Sequence, residues 1–224
     1  MERVEKYRRQ TRILHWVHVG AFVALLITGI FLYFPPWGGL AEDNWTRMVH
    51  RLGAVVFVLA PIVYMVMNWK TSWESISEGL TWGWDDWGWV SAAPRYYFLG
   101  DEAAMPPQEH MNTGQKLWYL ILLLFGPVFV ITGILMWFFK DILPSGVFMW
   151  SAFAHDVAFI VVICMFFVHV YLSVLHPLMR KEGGAFGSMI NGTVTVKYAK
   201  SHHGKWYDRI TKGKAAQAES TTKS

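Results

Sequence analysis

Residues 154–177, AHDVAFIVVICMFFVHVYLSVLHP, form a run that is almost wholly apolar. About 20 such residues suffice to cross a bilayer as an α-helix, so this stretch commits the chain to a membrane fold. Two histidines interrupt it, His155 and His169, spaced 14 residues apart. On a helix that spacing is a rise of about 21 Å and an angular offset about 40° short of four full turns. Both imidazoles therefore leave one face of one helix, near opposite sides of the membrane. An ionisable group inside a bilayer is costly, which makes the pair a functional candidate. The competing explanation is two unrelated polar side chains packed inside a bundle.

The composition agrees with that start. Of 224 residues, 54% are hydrophobic and only 16% charged, with 13 Trp and 15 Phe. The length suits one small domain. The net charge of +4 sits in particular flanks, which speaks for membrane topology and against nucleic-acid binding. The single cysteine, Cys164, cannot form an internal disulfide or hold an iron–sulfur cluster, and is expected to be a small buried hydrophobe. There is no Walker loop, dinucleotide fingerprint or nucleophile elbow, so substrate chemistry of those kinds belongs to another polypeptide. The first apolar run is too long for a cleaved signal segment and continues into Pro35-Pro36.

The expected architecture is an all-α membrane protein, a four-transmembrane-helix bundle with a basic cytoplasmic C-terminal tail. Residues 1–12 form a basic flank with Arg3, Lys6, Arg8, Arg9 and Arg12. The membrane domain covers 13–181, with helices over about 13–34, 47–69, 115–139 and 150–176. Pro61 and Pro127 lie inside the second and third and are expected to kink them. The loop after the first helix carries Glu42 and Asp43 but no Lys or Arg; the loop before the fourth has only Lys140. Arg180 and Lys181 follow the fourth helix. This asymmetry places both termini in the cytoplasm. The long connection 70–114, crowded with Trp73, Trp82, Trp84, Trp87 and Trp89, is then cytoplasmic and reads as an interfacial segment with a short amphipathic helix. The tail, 182–224, is polar and basic, and its last ten residues are expected to be disordered.

With this topology His50 and His155 share the outer level, and His169 shares the inner level with His15 or His18. Two stacked bis-imidazole sites in a four-helix bundle suit two b-type haems, each iron taking two axial nitrogens. Zinc is disfavoured because it needs three or four ligands at one level, and Asp156, the nearest third group, points about 100° away from His155. His18 lies deeper than His15, and spacing alone leaves the choice between them open. His176 falls too low to pair, while His110, His202 and His203 lie in polar segments and are expected at the surface. A short repeat is also present: Ile27-Thr28-Gly29-Ile30 and Ile131-Thr132-Gly133-Ile134. Gly29 and Gly133 fall toward the outer side, where small residues permit close helix packing or leave room for a flat cofactor.

Several stretches together resemble the membrane cytochrome b (gamma) subunit of respiratory formate dehydrogenase, within the di-haem cytochrome b group that also serves nickel–iron hydrogenases. They are Leu14-His15-Trp16, Arg47-Met48-Val49-His50, Asn112-Thr113-Gly114-Gln115-Lys116, the pair His155 and His169, and His202-His203-Gly204-Lys205-Trp206-Tyr207. The resemblance covers about residues 8–210. It implies that His15 is the ligand on the first helix, with one haem b on His50 and His155 and a second on His15 and His169. It also implies a menaquinone pocket lined by Asn112, Gly114, Gln115 and His169. The implied partners are an iron–sulfur beta subunit, a molybdenum or tungsten catalytic alpha subunit, the quinone and the lipid of a bacterial inner membrane; the whole complex can associate further. His18 and Asp156 depart from the family pattern.

The expected function is electron transfer from an outer-face iron–sulfur partner through two haems to quinone near the cytoplasmic side. The alternatives are a cytochrome b subunit of a hydrogenase or other molybdenum or tungsten enzyme, a free-standing quinone-linked cytochrome, and a haem-free anchor.

Overall fold

The computed structural model of the protein describes residues 1–37, 39, 44–177 and 184–222. Glu42 and Asp43 of the first loop, and Arg180 and Lys181 beyond the fourth long helix, lie outside the described residues. In chain order the elements are strand β1 (Arg3–Glu5), helix α1 (Arg9–Tyr33), a 3-10 turn (Pro35–Trp37), α2 (Asn44–Met67), α3 (Trp69–Leu80), α4 (Trp84–Leu99), a second 3-10 turn (Glu102–Ala104), α5 (Thr113–Phe138) and α6 (Ser145–Val170). A π-helical turn (Tyr171–Leu175), α7 (Ala185–Asn191), β2 (Thr193–Thr195), α8 (Val196–His202) and α9 (Gly204–Thr222) complete it. Helices α1, α2, α5 and α6 with its π turn are long and apolar enough to span a bilayer, which makes this an all-α membrane protein. The connection 70–114 is helical over much of its length, in α3 and α4, and α6 starts at Ser145, several residues before its expected start.

The chain divides into two compact units. An apolar unit holds residues 9–75 and 121–168, and a polar unit holds 1–8, 76–120 and 169–224. In the apolar unit α1 and α2 approach closely at Gly53, where a Cβ would lie 3.2 Å from Leu25 and 3.6 Å from the Ala21 carbonyl. Small residues at such crossings let membrane helices pack by van der Waals contact where no hydrophobic force separates protein from lipid. Phe22 links α1 to Phe166 of α6, with ring centres 4.6 Å apart. Much of the remaining apolar surface, including Leu59, Val63, Val66, Ile131, Ile160 and Phe167, is exposed, as lipid contact requires. Cys164 is exposed as well and does not join the core, because it lies on the outer face of α6. Both α2 and α5 continue as helix through Pro61 and Pro127.

The polar unit has its own core of Tyr96, Val194, Tyr198, Ala199 and Trp206. β1 and β2 pair antiparallel, with Val4 opposite Val194, so the N-terminal flank is stitched to the tail. α4 is capped at both ends: the Gly83 N–H donates to Asp86, and Gly100 adopts φ +72°, the left-handed conformation glycine tolerates. Asp86 is buried, accepts from the Thr113 hydroxyl at 2.8 Å and pairs with Lys116 at 2.9 Å. Burial raises its pKa, but these partners outweigh burial and hold the carboxyl below its ordinary value. The tail departs from expectation, since α9 runs to Thr222 through residues expected to be disordered. Ala215, Ala216, Gln217, Ala218 and Glu219 are all good helix formers, which accounts for the extension.

Candidate functional site

Within the apolar unit, His50 of α2 and His155 of α6 face one another with ring centres 6.5 Å apart and planes inclined at 52°. Two imidazoles sharing one metal ion, each nitrogen about 2 Å from it, place their ring centres roughly 6 Å apart. The separation thus fits a bis-imidazole iron. Phe129 of α5 lies edge-on against His155.

Each ring is held by a threonine. The Thr28 hydroxyl lies 2.8 Å from His50 Nδ1, and the Thr132 hydroxyl lies 2.8 Å from His155 Nδ1. Both hydroxyls also sit 2.6 Å from the carbonyl oxygen four residues earlier, Ala24 and Val128. Two oxygens at that distance need a proton between them, and a carbonyl has none, so each threonine donates to its carbonyl. The hydroxyl then accepts from Nδ1–H. This fixes both imidazoles as the tautomer whose Nε2 carries a lone pair, the form a metal binds. No protein group among the described residues hydrogen-bonds either Nε2.

Gly29 and Gly133 follow the two threonines. A Cβ at Gly29 would touch His50 Cε1 at 3.6 Å, whereas one at Gly133 would meet nothing within 4 Å. The space at Gly133 is compatible with a flat group. An open hollow of about 530 Å³ is lined by Thr132, Val147, Ser151 and Ala154. Sequence reasoning singled out the two glycines and missed Thr28 and Thr132. The signal that could have found them is the repeat itself, with a threonine at the same step of two helices.

On α1 the structure separates the two candidate histidines. His18 has Nδ1 3.3 Å from the Leu14 carbonyl and Nε2 3.2 Å from the Phe57 carbonyl, so each nitrogen faces a backbone oxygen and a neutral ring donates to one of them. His15 packs edge-on against Trp16, and its Nδ1 is buried with no hydrogen-bond partner. A buried orphan nitrogen is the uncommon case and suits a ring awaiting a ligand.

In the polar unit His169 stacks on Trp118, with ring centres 5.2 Å apart and planes within 15°. The stretch expected to line a quinone pocket opens α5. Asn112 and Gln115 form a reciprocal cap: the Gln115 N–H donates to Asn112 Oδ1, and the Asn112 N–H donates to Gln115 Oε1. The Asn112 side-chain amide nitrogen takes no part in this cap. Gly114 packs tightly, since a Cβ there would lie 3.0 Å from the Trp89 ring.

The remaining histidines are not the surface groups their sequence context suggests. His203 is fully buried; its Nδ1 donates to the Glu109 carbonyl at 2.8 Å and its Nε2 accepts from Lys6 Nζ at 2.5 Å. His202 is bracketed by the Tyr96 and Ser201 hydroxyls. His110 reaches the Lys6 carbonyl, and His176 the Tyr97 carbonyl, each at 3.0 Å. Burial lowers Lys6 to about 7 and His110 to about 4, and it takes His203 well below its ordinary value. Asp156 is half-buried. Among the described residues no group of three or more His, Cys, Asp or Glu is arranged around a common point for a bare metal ion.

The family model for "Prokaryotic cytochrome b561" matches residues 6–192. Among curated relatives, the formate dehydrogenase cytochrome b556 subunit of Haemophilus influenzae is 26% identical over 211 residues, covering 92% of this chain and 82% of the relative. The nitrate-inducible formate dehydrogenase cytochrome b556(Fdn) subunit of Escherichia coli K12 is 27% identical, covering 91% and 90%. The formate dehydrogenase cytochrome b556(fdo) subunit of the same strain is 24% identical, covering 96% and 97%.

Proposed function

The chain belongs to the prokaryotic cytochrome b561 family, and on that premise we propose that it is the membrane cytochrome b subunit of a formate dehydrogenase complex in a bacterial inner membrane. It takes electrons from an iron–sulfur subunit at the outer face, beyond which lies a molybdenum or tungsten catalytic subunit. It passes them through two b haems to menaquinone near the cytoplasmic side. Each haem supplies a one-electron iron couple. His50 and His155 would hold one haem, and His15 and His169 would supply ligands to the other.

The observation that carries this reading is the facing pair His50 and His155, 6.5 Å apart, each with Nδ1 held and Nε2 left over. His15 is favoured over His18 because both nitrogens of His18 face backbone carbonyls at 3.2 to 3.3 Å, whereas His15 Nδ1 has no protein partner. The names of the relatives supply the dehydrogenase and the multi-subunit setting. At the quinone the chain's part is to bind and orient. The Asn112 amide is available to a quinone carbonyl while its own oxygen anchors α5.

The test is the haem content of the purified complex. The unaltered chain should hold two haems with a reduced α-band in the visible spectrum. His50→Ala and His155→Ala should each leave one haem, and the same one; His15→Ala and His169→Ala should each leave the other. A colourless protein, or full haem content in all four variants, refutes the proposal.

A further inference from the structure

The two threonine–histidine pairs are built alike. Thr28 on α1 serves His50 on α2, and Thr132 on α5 serves His155 on α6, at the same 2.8 Å and with the same 2.6 Å bond to a carbonyl one turn earlier. Both threonines are buried. A geometry repeated on two helix pairs of one chain, at the same position of a repeated tetrapeptide, is not what unrelated packing produces. The His15 side chain has no such bond, and its Nδ1 is an orphan.

We propose that Thr28 and Thr132 are positioning residues: their hydroxyls hold His50 and His155 as the Nδ1–H tautomer, aim both Nε2 lone pairs at one iron, and lower the potential of that iron. The inference rests on the haem assignment above. The physical reason is that an imidazole donating through Nδ1–H becomes a more electron-rich ligand, which favours the ferric state. Both ligands of this site are held this way.

The experiment uses the purified complex with Thr28→Val, Thr132→Val and the double variant, which remove the hydroxyl and keep its shape. Thr28→Ser and Thr132→Ser restore the hydroxyl. The readouts are the two haem midpoint potentials by spectroelectrochemical titration and the low-spin electron paramagnetic resonance spectrum. Each Val variant should raise the potential of the His50/His155 haem alone, the double variant should raise it further, and the matching signal should move as the imidazole planes are released. The Ser variants should restore the starting values. Loss of only that haem in a Val variant, with retention in its Ser counterpart, also supports positioning. Unchanged potentials and spectra in a haem-replete double variant overturn the inference, as do Ser variants that shift as far as Val. Absence of haem from the unaltered complex would instead sink the functional assignment.

Discussion

His202 and His203 in the polar unit and His50 and His155 in the apolar unit use their ring nitrogens in opposite ways. In the polar unit His203 spends both nitrogens, one on the Glu109 carbonyl and one on Lys6, and His202 spends both on the Tyr96 and Ser201 hydroxyls. In the apolar unit His50 and His155 spend one nitrogen on a threonine and keep the other. A ring with both nitrogens satisfied is a structural bracket, because any ligand would have to break a bond already made. A ring held by one nitrogen is pre-oriented to bind with the second. His18 sits in the apolar unit, yet both its nitrogens are turned onto backbone carbonyls, which leaves neither facing a second ligand.

Substitution separates the two uses most sharply. His155→Ala is expected to cost half the haem, whereas His203→Ala and His18→Ala should leave haem content intact. His203→Ala instead leaves Lys6 and the Glu109 carbonyl buried without their partner, at about 1–3 kcal/mol for each unpaired group. Absorbance spectra with thermal melts of the three variants test this. Full haem loss in His18→Ala would erase the distinction.

Much of this was legible in the sequence. The four spans follow from hydropathy, and spacing with the distribution of arginine and lysine pairs His50 with His155, whose rings the structure brings to 6.5 Å. The brackets were not legible, because His202 and His203 lie in a segment of polar composition whose burial comes from partners 94 to 197 residues away in sequence. Local pattern carries no record of such contacts. The threonines escaped notice for a different reason: a threonine bonded back to its own helix looks like any other membrane-helix threonine until the facing imidazole is seen. Cys164 shows the converse, since apolar neighbours in sequence did not distinguish the core face of α6 from its outer face.

The polar unit's stability should also depend on its buried ion pair, and the apolar unit's should not. Asp86→Asn strands the Lys116 ammonium in a site where its side chain is only 8% exposed. Breaking a buried pair from one side costs about 3–5 kcal/mol. The expected result is a large drop in melting temperature with both haem spectra unchanged in the surviving folded protein. Loss of the outer haem at temperatures where the protein is still folded would contradict the separation of roles.

Acidity provides a second contrast. Lys6 is lowered from 10.5 to about 7, so between those values the unfolded chain binds the proton more readily than the folded one. Stability of the polar unit should therefore rise with pH across about 7 to 10.5 and lie at its lower plateau below 7. His110, lowered from 6.5 to about 4, adds a further loss as pH falls from about 6.5 to 4. Each slope is at most about 1.4 kcal/mol per pH unit within its window. Lys6→Met should flatten the upper window and leave the lower one. Unfolding in denaturant at several pH values reads both, and an upper slope that survives Lys6→Met would show that another group is responsible.

The smallest effect concerns Asn112, where structural and functional duties meet in one side chain. Its Oδ1 caps α5 by accepting from the Gln115 N–H, and loss of such a cap costs about 1 kcal/mol. Asn112→Asp keeps an oxygen for that bond and removes the amide donor, while Asn112→Ala removes both. If the residue only caps, Asp restores the stability lost in Ala, and quinone reduction follows stability in both variants. If the side-chain amide also orients a quinone carbonyl, Asp restores stability but leaves KM for quinone raised about tenfold, the factor that corresponds to about 1.4 kcal/mol of binding. Haem content should be unchanged throughout, so the two readouts, melting temperature and quinone KM, part company at this one position.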